Sequence, residues 1–518
     1  MPQRVLVIQL ERLGDLIQTT PLLADLAAAG DVELEVLCVD EVRHVLDGAP
    51  WPVKVIGLPA STVVSLGAEV AAAARAGRRP TSIGGLLVGA DAAPRDRVIN
   101  VSHGPLASFL AGALPARHRE GPTLTDGGEK LYLGPWHVYS LAMLDFRGAN
   151  SFNLVDLYRC GAPAGRIPVA GDRPHLRPSP RLEVALPPSP RVAINPGTSD
   201  PRRRWPGEHF ARLAQRLAAA GIAPILVGSE ADRPICAAVA AACDRAPLDL
   251  TGRLSVAEQA RLFQLVDLVV SNDTGAVHIA AAVGAPVLGV YGGSSLFRET
   301  APWSEGHWVL QAPALGSTEG MERLSPELVA LAVEVRLGRR DRAELRERLV
   351  ADGVAAWETR FLPPGADPLG GLDYRPLHDP GSDREHAVAG ALRTAIARAF
   401  RGVHEPQEAP ASDAWSDERH DLARLGEELG RLDGALRASR DALAANDPRS
   451  AGRALSTAAD GIARLPERFP RVPAHAIARF LDWTIKSLTA TTTPGVIDET
   501  REALARMRAI ARDTSRFL

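Results

Sequence analysis

Short apolar runs alternate with segments whose apolar residues recur three and four apart, and turn residues separate the two through the first half of the chain. Residues 4–10 predict a buried strand, 11–15 a turn, and 16–29 a helix with apolar positions at 16, 17, 22, 23 and 26. Pro21 inside that helix predicts a kink or a restart. Further strands are predicted at 32–39, 53–58, 86–88 and 98–101, with an Ala-rich helix at 63–75, whereas 102–140 has no regular period. A helix at 150–158 leads into a proline-rich stretch, 163–190, that reads as an interdomain linker. The pattern then restarts, with strands at 191–195, 224–227, 248–251, 268–270 and 287–290 separated by helices.

This alternation predicts an α/β fold class: two Rossmann-like doubly wound domains facing a cleft, at 1–180 and 190–325, plus a C-terminal all-α extension at 326–518. In the extension, 328–350 is helical, and Gly/Pro-rich linkers are predicted near 363–380 and 403–414. Leu422, Leu425, Leu429, Leu432, Leu436 and Leu443 form a narrow apolar seam with one gap at Ser439. Asp447-Pro448 starts a further helix, and others are predicted at 473–490 and 496–512. Such a region reads as a bundle packed on itself or on the two domains; the alternative is a homo-oligomerisation or acceptor-docking module.

Composition narrows the picture. A chain of 518 residues exceeds one core, and a net charge of -3 gives no global argument for nucleic acid. The four cysteines, at 38, 160, 236 and 243, have no CxxC spacing, so they predict thiols in a reducing compartment, with no metal site. The apolar run at 5–10 is cut by Glu11-Arg12, and no stretch approaches the roughly 18 apolar residues of a membrane span. The expectation is a soluble cytoplasmic protein with no membrane span, which leaves peripheral membrane association open.

Candidate chemistry sits where strands end. Asn272-Asp273-Thr274-Gly275 closes one strand and opens a helix, at the sheet edge where ligands of open α/β sheets bind. Free helix amides there suit a phosphate; Asp273 stands beside them, and His278 shares a helix face with Thr274. Thr198 and Ser199 offer hydroxyls at a second strand end, and Arg202-Arg203-Arg204 supplies the charge that a diphosphate leaving group needs. The competing reading of the triplet is a solvated turn. Asp15 closes the first strand-turn-helix unit, as a helix cap or as a general base. A helix terminus predicts that it is ionised and weakly basic. Arg117, His118, Arg119 and Lys130 in the irregular stretch read as a solvated loop or as a face for an anionic acceptor.

Leu13-Gly14-Asp15, Asn195-Pro196-Gly197-Thr198 with Arg203-Arg204-Trp205-Pro206, and Asn272-Asp273-Thr274-Gly275 with His278 together resemble family 9 glycosyltransferases, the ADP-heptose lipopolysaccharide heptosyltransferases. The resemblance covers roughly residues 1–312. It implies a GT-B fold and inverting transfer of a sugar, a heptose by the family's habit, from an ADP-sugar co-substrate. No cofactor and no essential divalent metal are implied.

Carried over by position, Asp15 matches the general base, with Arg12 and Gly14 of the same turn on the acceptor side. Thr198 and Ser199 match the phosphate-binding turn, and Asp273, Thr274, Gly275 and His278 the donor segment. Leu254 falls where the family packs its adenine and Asp232 near where it holds the ribose. Arg203, with Arg204 beside it, stands where the family usually has a lysine, a change that keeps charge but alters geometry. The implied acceptor is a hydroxyl on lipopolysaccharide core, another glycan or a protein. Competing readings are another GT-B activity, such as UDP-sugar transfer or epimerisation, and a non-catalytic GT-B-like binding or assembly protein.

Overall fold

Val5, Leu6, Val7 and Ile8 are inaccessible on both faces of β1 (Gln3–Gln9), which makes it a central strand. The computed structural model describes residues 2–78, 80, 94–125, 128–143, 147, 150, 152–162, 171–312, 319–362, 370–378, 384–401, 416–445, 447–469, 473–486 and 493–517. The predicted strand at 86–88 and the linker at 403–414 lie outside them. After β1 come α1 (Leu13–Ala28), β2 (Val32–Val39), β3 (Lys54–Leu58), α2 (Ala60–Arg75), β4 (Arg95–Asn100), α3 (Pro105–Ala113), β5 (Ala116–Leu124), β6 (Lys130–Leu133), α4 (Pro135–Ala142) and α5 (Leu154–Arg159). The sheet order is β3-β2-β1-β4-β5-β6, parallel except for β6. Helix α1 runs unbroken through Pro21, which is buried.

The stretch 102–140 is more regular than its sequence suggests, because it supplies the sheet's polar edge. Strand β5 alternates poorly in hydrophobicity, and only its far end is buried. Its Arg119 donates to the carbonyls of Ala111, Leu114 and Ala116, capping the end of α3, and Arg117 is an exposed residue 3.4 Å from Asp96.

The second lobe holds β7 (Arg191–Asn195), α6 (Gly207–Ala219), β8 (Ala223–Leu226), α7 (Arg233–Ala241), β9 (Leu248–Asp249), α8 (Val256–Leu265), β10 (Leu268–Asn272), α9 (Gly275–Ala282), β11 (Val287–Tyr291), α10 (Phe297–Thr300), β12 (Trp308–Gln311), α11 (Glu319–Glu322), α12 (Pro326–Arg336), α13 (Arg342–Asp352), β13 (Ala355–Phe361) and β14 (Leu372–Pro376). Strand order is β14-β13-β12-β11-β10-β7-β8-β9, with β13 and β14 antiparallel. The chain therefore stays in this lobe past residue 325. The helix expected at 328–350 is two, α12 and α13, and both pack on the second sheet's core. Part of the 363–380 linker is β14; residues 363–369 lie outside the description.

The helical region begins at α14 (Arg384–Arg401) and continues through α15 (Ser416–Ala444), α16 (Pro448–Arg468), α17 (Ala474–Lys486) and α18 (Thr493–Phe517). The leucine seam lies inside it: Leu422, Leu425, Leu429, Leu432 and Leu436 are buried against α16 and α18 of the same chain. The gap at Ser439 is filled by a hydrogen bond, its Oγ donating to Ala451 O at 2.9 Å. Helix α17 packs on α4, so Val138 and Tyr139 of the first lobe share this bundle's core.

The two lobes also share a core. Leu16 and Ile17 of α1 cluster with Val277 and Ala280 of α9. Asp156 on α5 accepts hydrogen bonds from Trp303 Nε1 and Leu372 N, 2.8 and 2.9 Å away, and lies 3.7 Å from Arg393 of α14. No helix among the described residues is long and apolar enough to cross a membrane.

Candidate functional site

The carboxyl ends of β1, β7 and β10 meet at one cleft, because α1 and α9 pack with their amino-terminal turns together. Gly14 is where they touch: a Cβ there would stand 3.0 Å from His278 Cδ2 and 3.4 Å from Gly275 Cα. Beside this contact lies a cavity of about 540 Å³ lined by Arg12, Thr198, Ser199, Arg203, Arg204, Asp232, Asp273, Thr274 and Gly275, a size suited to a small-molecule ligand. Gly14→Val should press on His278 and Gly275 and destabilise the protein by about 1–3 kcal/mol, read from its denaturation midpoint, with the fold intact by circular dichroism.

Asn272 anchors the second-lobe wall. Its Oδ1 accepts from Trp205 N and its Nδ2 donates to Pro196 O, both at 3.0 Å, so one buried side chain fixes the loop that carries Thr198 to Arg204. Thr274 caps α9, accepting from Ala276 N at 3.3 Å. Arg203 is half-buried, its Nη1 3.3 Å from Asp273 Oδ2 and its Nε donating to Ser294 Oγ at 3.1 Å. Arg204 turns back on the loop, donating to Thr198 O at 2.9 Å. The triplet is thus divided: Arg202 pairs with Asp200 on the exposed side, and Arg203 faces the cavity. Asp232 accepts from Ser229 N and Oγ, 2.8 and 2.7 Å away, and its carboxylate lies where a Cβ on Gly197 would be. Leu254 is partly buried against the shared core and is not among the cavity's lining residues.

Asp15 falls in the first turn of α1, its Oδ2 accepting from Arg12 N at 3.1 Å. The helix-terminus expectation of a weakly basic carboxylate is corrected here. Burial is the largest influence and raises its pKa; the Arg12 amide opposes this, and Glu11's charge adds to the rise. Asp273 is pushed up to about 6 by burial; Arg203 lowers it, and Glu299 and Asp15 raise it. Two carboxylates from opposite lobes therefore feel each other across the cleft. Burial holds His278 neutral, its pKa lowered to about 4, and its Nδ1 has no partner among the described residues. Arg12, assigned to the acceptor side by position, sends its Nη1 to Ser199 Oγ at 2.8 Å in the opposite lobe.

Four residues here escaped the sequence reading. Asn272 stood inside the quoted motif without a role, and Gly292-Gly293 after β11 was the signal that could have marked Ser294. Arg147 and Glu299, which pair across the lobes, carried no periodic or motif signal.

Residues 173–328 match the sequence model of glycosyltransferase family 9 (heptosyltransferase). Over 149 residues the chain is 33% identical to lipooligosaccharide heptosyltransferase 2 of Haemophilus influenzae, covering 25% of this chain and 43% of that protein. It is 33% identical over 111 residues to lipopolysaccharide heptosyltransferase 2 of Escherichia coli, covering 20% of this chain and 32% of that protein. The matched stretches span less than half the length of these curated relatives. Among solved structures, the family 9 glycosyl transferase of Veillonella parvula aligns with TM-score 0.48 and 20% identity, over 65% of this chain and 98% of that one. E. coli ADP-heptose lps heptosyltransferase II aligns with TM-score 0.46 and 21% identity, over 65% and 98%.

Proposed function

We propose, from the match of residues 173–328 to the glycosyltransferase family 9 model, that the chain is an inverting glycosyltransferase moving a sugar, a heptose in the first instance, from an ADP-sugar to a hydroxyl acceptor on lipopolysaccharide core, another glycan or a protein. The observation that carries this reading is the contact of the Asp15 turn with the start of α9, beside a cavity with Arg203 on its wall.

In the proposed reaction, the acceptor hydroxyl gives its proton to an Asp15 carboxylate oxygen as its own oxygen bonds to the anomeric carbon. The bond from that carbon to the diphosphate breaks, and the electron pair leaves with ADP. Arg203 and the amides at Thr274-Gly275 take the departing charge. Asp232 and Leu254 are assigned to ribose and adenine, and Gly14 to the close approach that the acceptor needs. Arg12 is assigned to the diphosphate side, since its guanidinium reaches Ser199. The proposal includes no resident metal or cofactor, and the protein is read as working in the cytoplasm, with a membrane-bound acceptor allowed.

The direct test is to incubate the protein with ADP-heptose and each acceptor class and to follow ADP release and acceptor mass. An acceptor that gains one heptose supports the reading, whereas failure of ADP-heptose to bind or turn over overturns it. A base with a raised pKa also sets a pH profile. Asp15 must be ionised to act, so the rate falls as pH drops through its pKa, which lies above the usual carboxylate value. Glu11→Gln removes a negative neighbour and should shift that acid limb to lower pH, read from kcat/KM against pH.

A further inference from the structure

Arg147, in the segment joining α4 to α5, reaches into the second lobe. Its Nε donates to Glu299 Oε1 at 2.8 Å, a second nitrogen pairs with Oε2, and Nη1 donates to Ser294 O at 2.6 Å. Ser294 passes the contact on. Its Oγ donates to Asp200 Oδ2 at 3.0 Å and accepts from Arg203 Nε at 3.1 Å. The next-door backbone leaves no slack: Gly293 has φ +59°, and a Cβ there would stand 1.6 Å from Arg202 O. The loop that Arg147 grips is therefore seated directly on the turn that presents Arg203.

We infer that Arg147 is a positioning residue for Arg203, holding the diphosphate-facing guanidinium in place from the opposite lobe through Ser294 and Glu299. The inference rests on the glycosyl-transfer reading above. It makes the donor grip depend on lobe contact: full affinity for the diphosphate exists only while Arg147 is docked. A bidentate arginine–carboxylate pair has the fixed geometry this requires, which a lysine lacks.

The electrostatics add a pH readout to this geometric relay. Asp273 is faced by Arg203 from the loop after β7, Glu299 from α10, Asp15 from α1 and Tyr291 from β11, and Arg147 neutralises Glu299. Without Arg147, the unpaired Glu299 would push Asp273 further above 6. A protonated Asp273 releases Arg203 and removes a negative neighbour from a bound diphosphate, so ADP affinity should rise as pH falls through that value.

The test measures ADP binding by calorimetry and ADP-heptose kinetics for wild type, Arg147→Met, Arg147→Lys, Ser294→Ala and the Met/Ala double variant. At a pH well above the Asp273 transition, where that carboxylate is ionised in both forms, Arg147→Met should weaken ADP binding about tenfold, the scale of one lost charge-assisted hydrogen bond, with acceptor KM unchanged. Its ADP-binding pH midpoint should lie above wild type, the ligand's own titration being common to both. Arg147→Lys should recover part of the loss. The double variant should be no weaker than Arg147→Met, because the two act in series. If Arg147→Met does not fold, Ser294→Ala and Arg147→Lys carry the affinity readout, and their pH midpoint should stay near wild type because Glu299 keeps its cation. Wild-type ADP affinity and pH midpoint in the folded variants overturns the relay alone. A wild-type chain that does not bind ADP overturns the function with it.

Discussion

Asp15→Asn is expected to leave the protein folded and to slow sugar transfer by about 10²–10⁴-fold, the usual contribution of a positioned general base. Asparagine has nearly the same volume, and its carbonyl oxygen can still accept the Arg12 amide that Asp15 Oδ2 accepts at 3.1 Å. It cannot take a proton. The local fold therefore survives while the proposed proton acceptor is lost. ADP affinity should stay within about twofold of wild type, since the change removes one carboxylate facing Asp273 and no group assigned to the nucleotide. Paired measurements of ADP release and ADP affinity separate the two possible roles of this residue. A helix cap alone would lower the melting temperature and spare the rate, and near-normal turnover in a folded variant would remove Asp15 from the chemistry.

Arg203→Met should cost about 10²–10³-fold in turnover, the magnitude seen when one group stabilising developing negative charge is removed. Methionine keeps much of the side chain's apolar length but carries no charge. Asp273 would lose its nearest cation, 3.3 Å away, and its pKa would move further up. Arg203→Lys is the more discriminating change, because the resemblance puts a lysine here. An ammonium restores the charge but cannot hold Ser294 and Asp273 at once in the arginine's fork geometry. It should recover most but not all of the lost rate, as read from kcat and ADP affinity together. Full activity of Arg203→Met would remove this residue from leaving-group stabilisation.

The parts of the molecule that could be read in advance are those in which a buried parallel strand runs directly into a helix. Both β1 with α1 and β10 with α9 combine unbroken apolar runs with turn residues, and the groups named at their ends meet at one cleft. The edge of the first sheet was not legible, because β5 is polar where it faces solvent and so lacks a strand's period. Strands β13 and β14 were hidden for a different reason. They join the second sheet antiparallel after three intervening helices, a pairing set by tertiary contact with β12. The basicity of Asp15 was misjudged because it depends on burial in the assembled cleft, which no local pattern encodes. Arg147 lies in the same class: its partners are more than a hundred residues away.

The apolar cluster that runs from α1 into α9 has a thermodynamic meaning as well as a geometric one. Neither sheet can come apart without baring side chains of the other to water, so the pair behaves as one cooperative unit against heat or denaturant. Any opening of the cleft that parted α1 from α9 would expose this cluster to water.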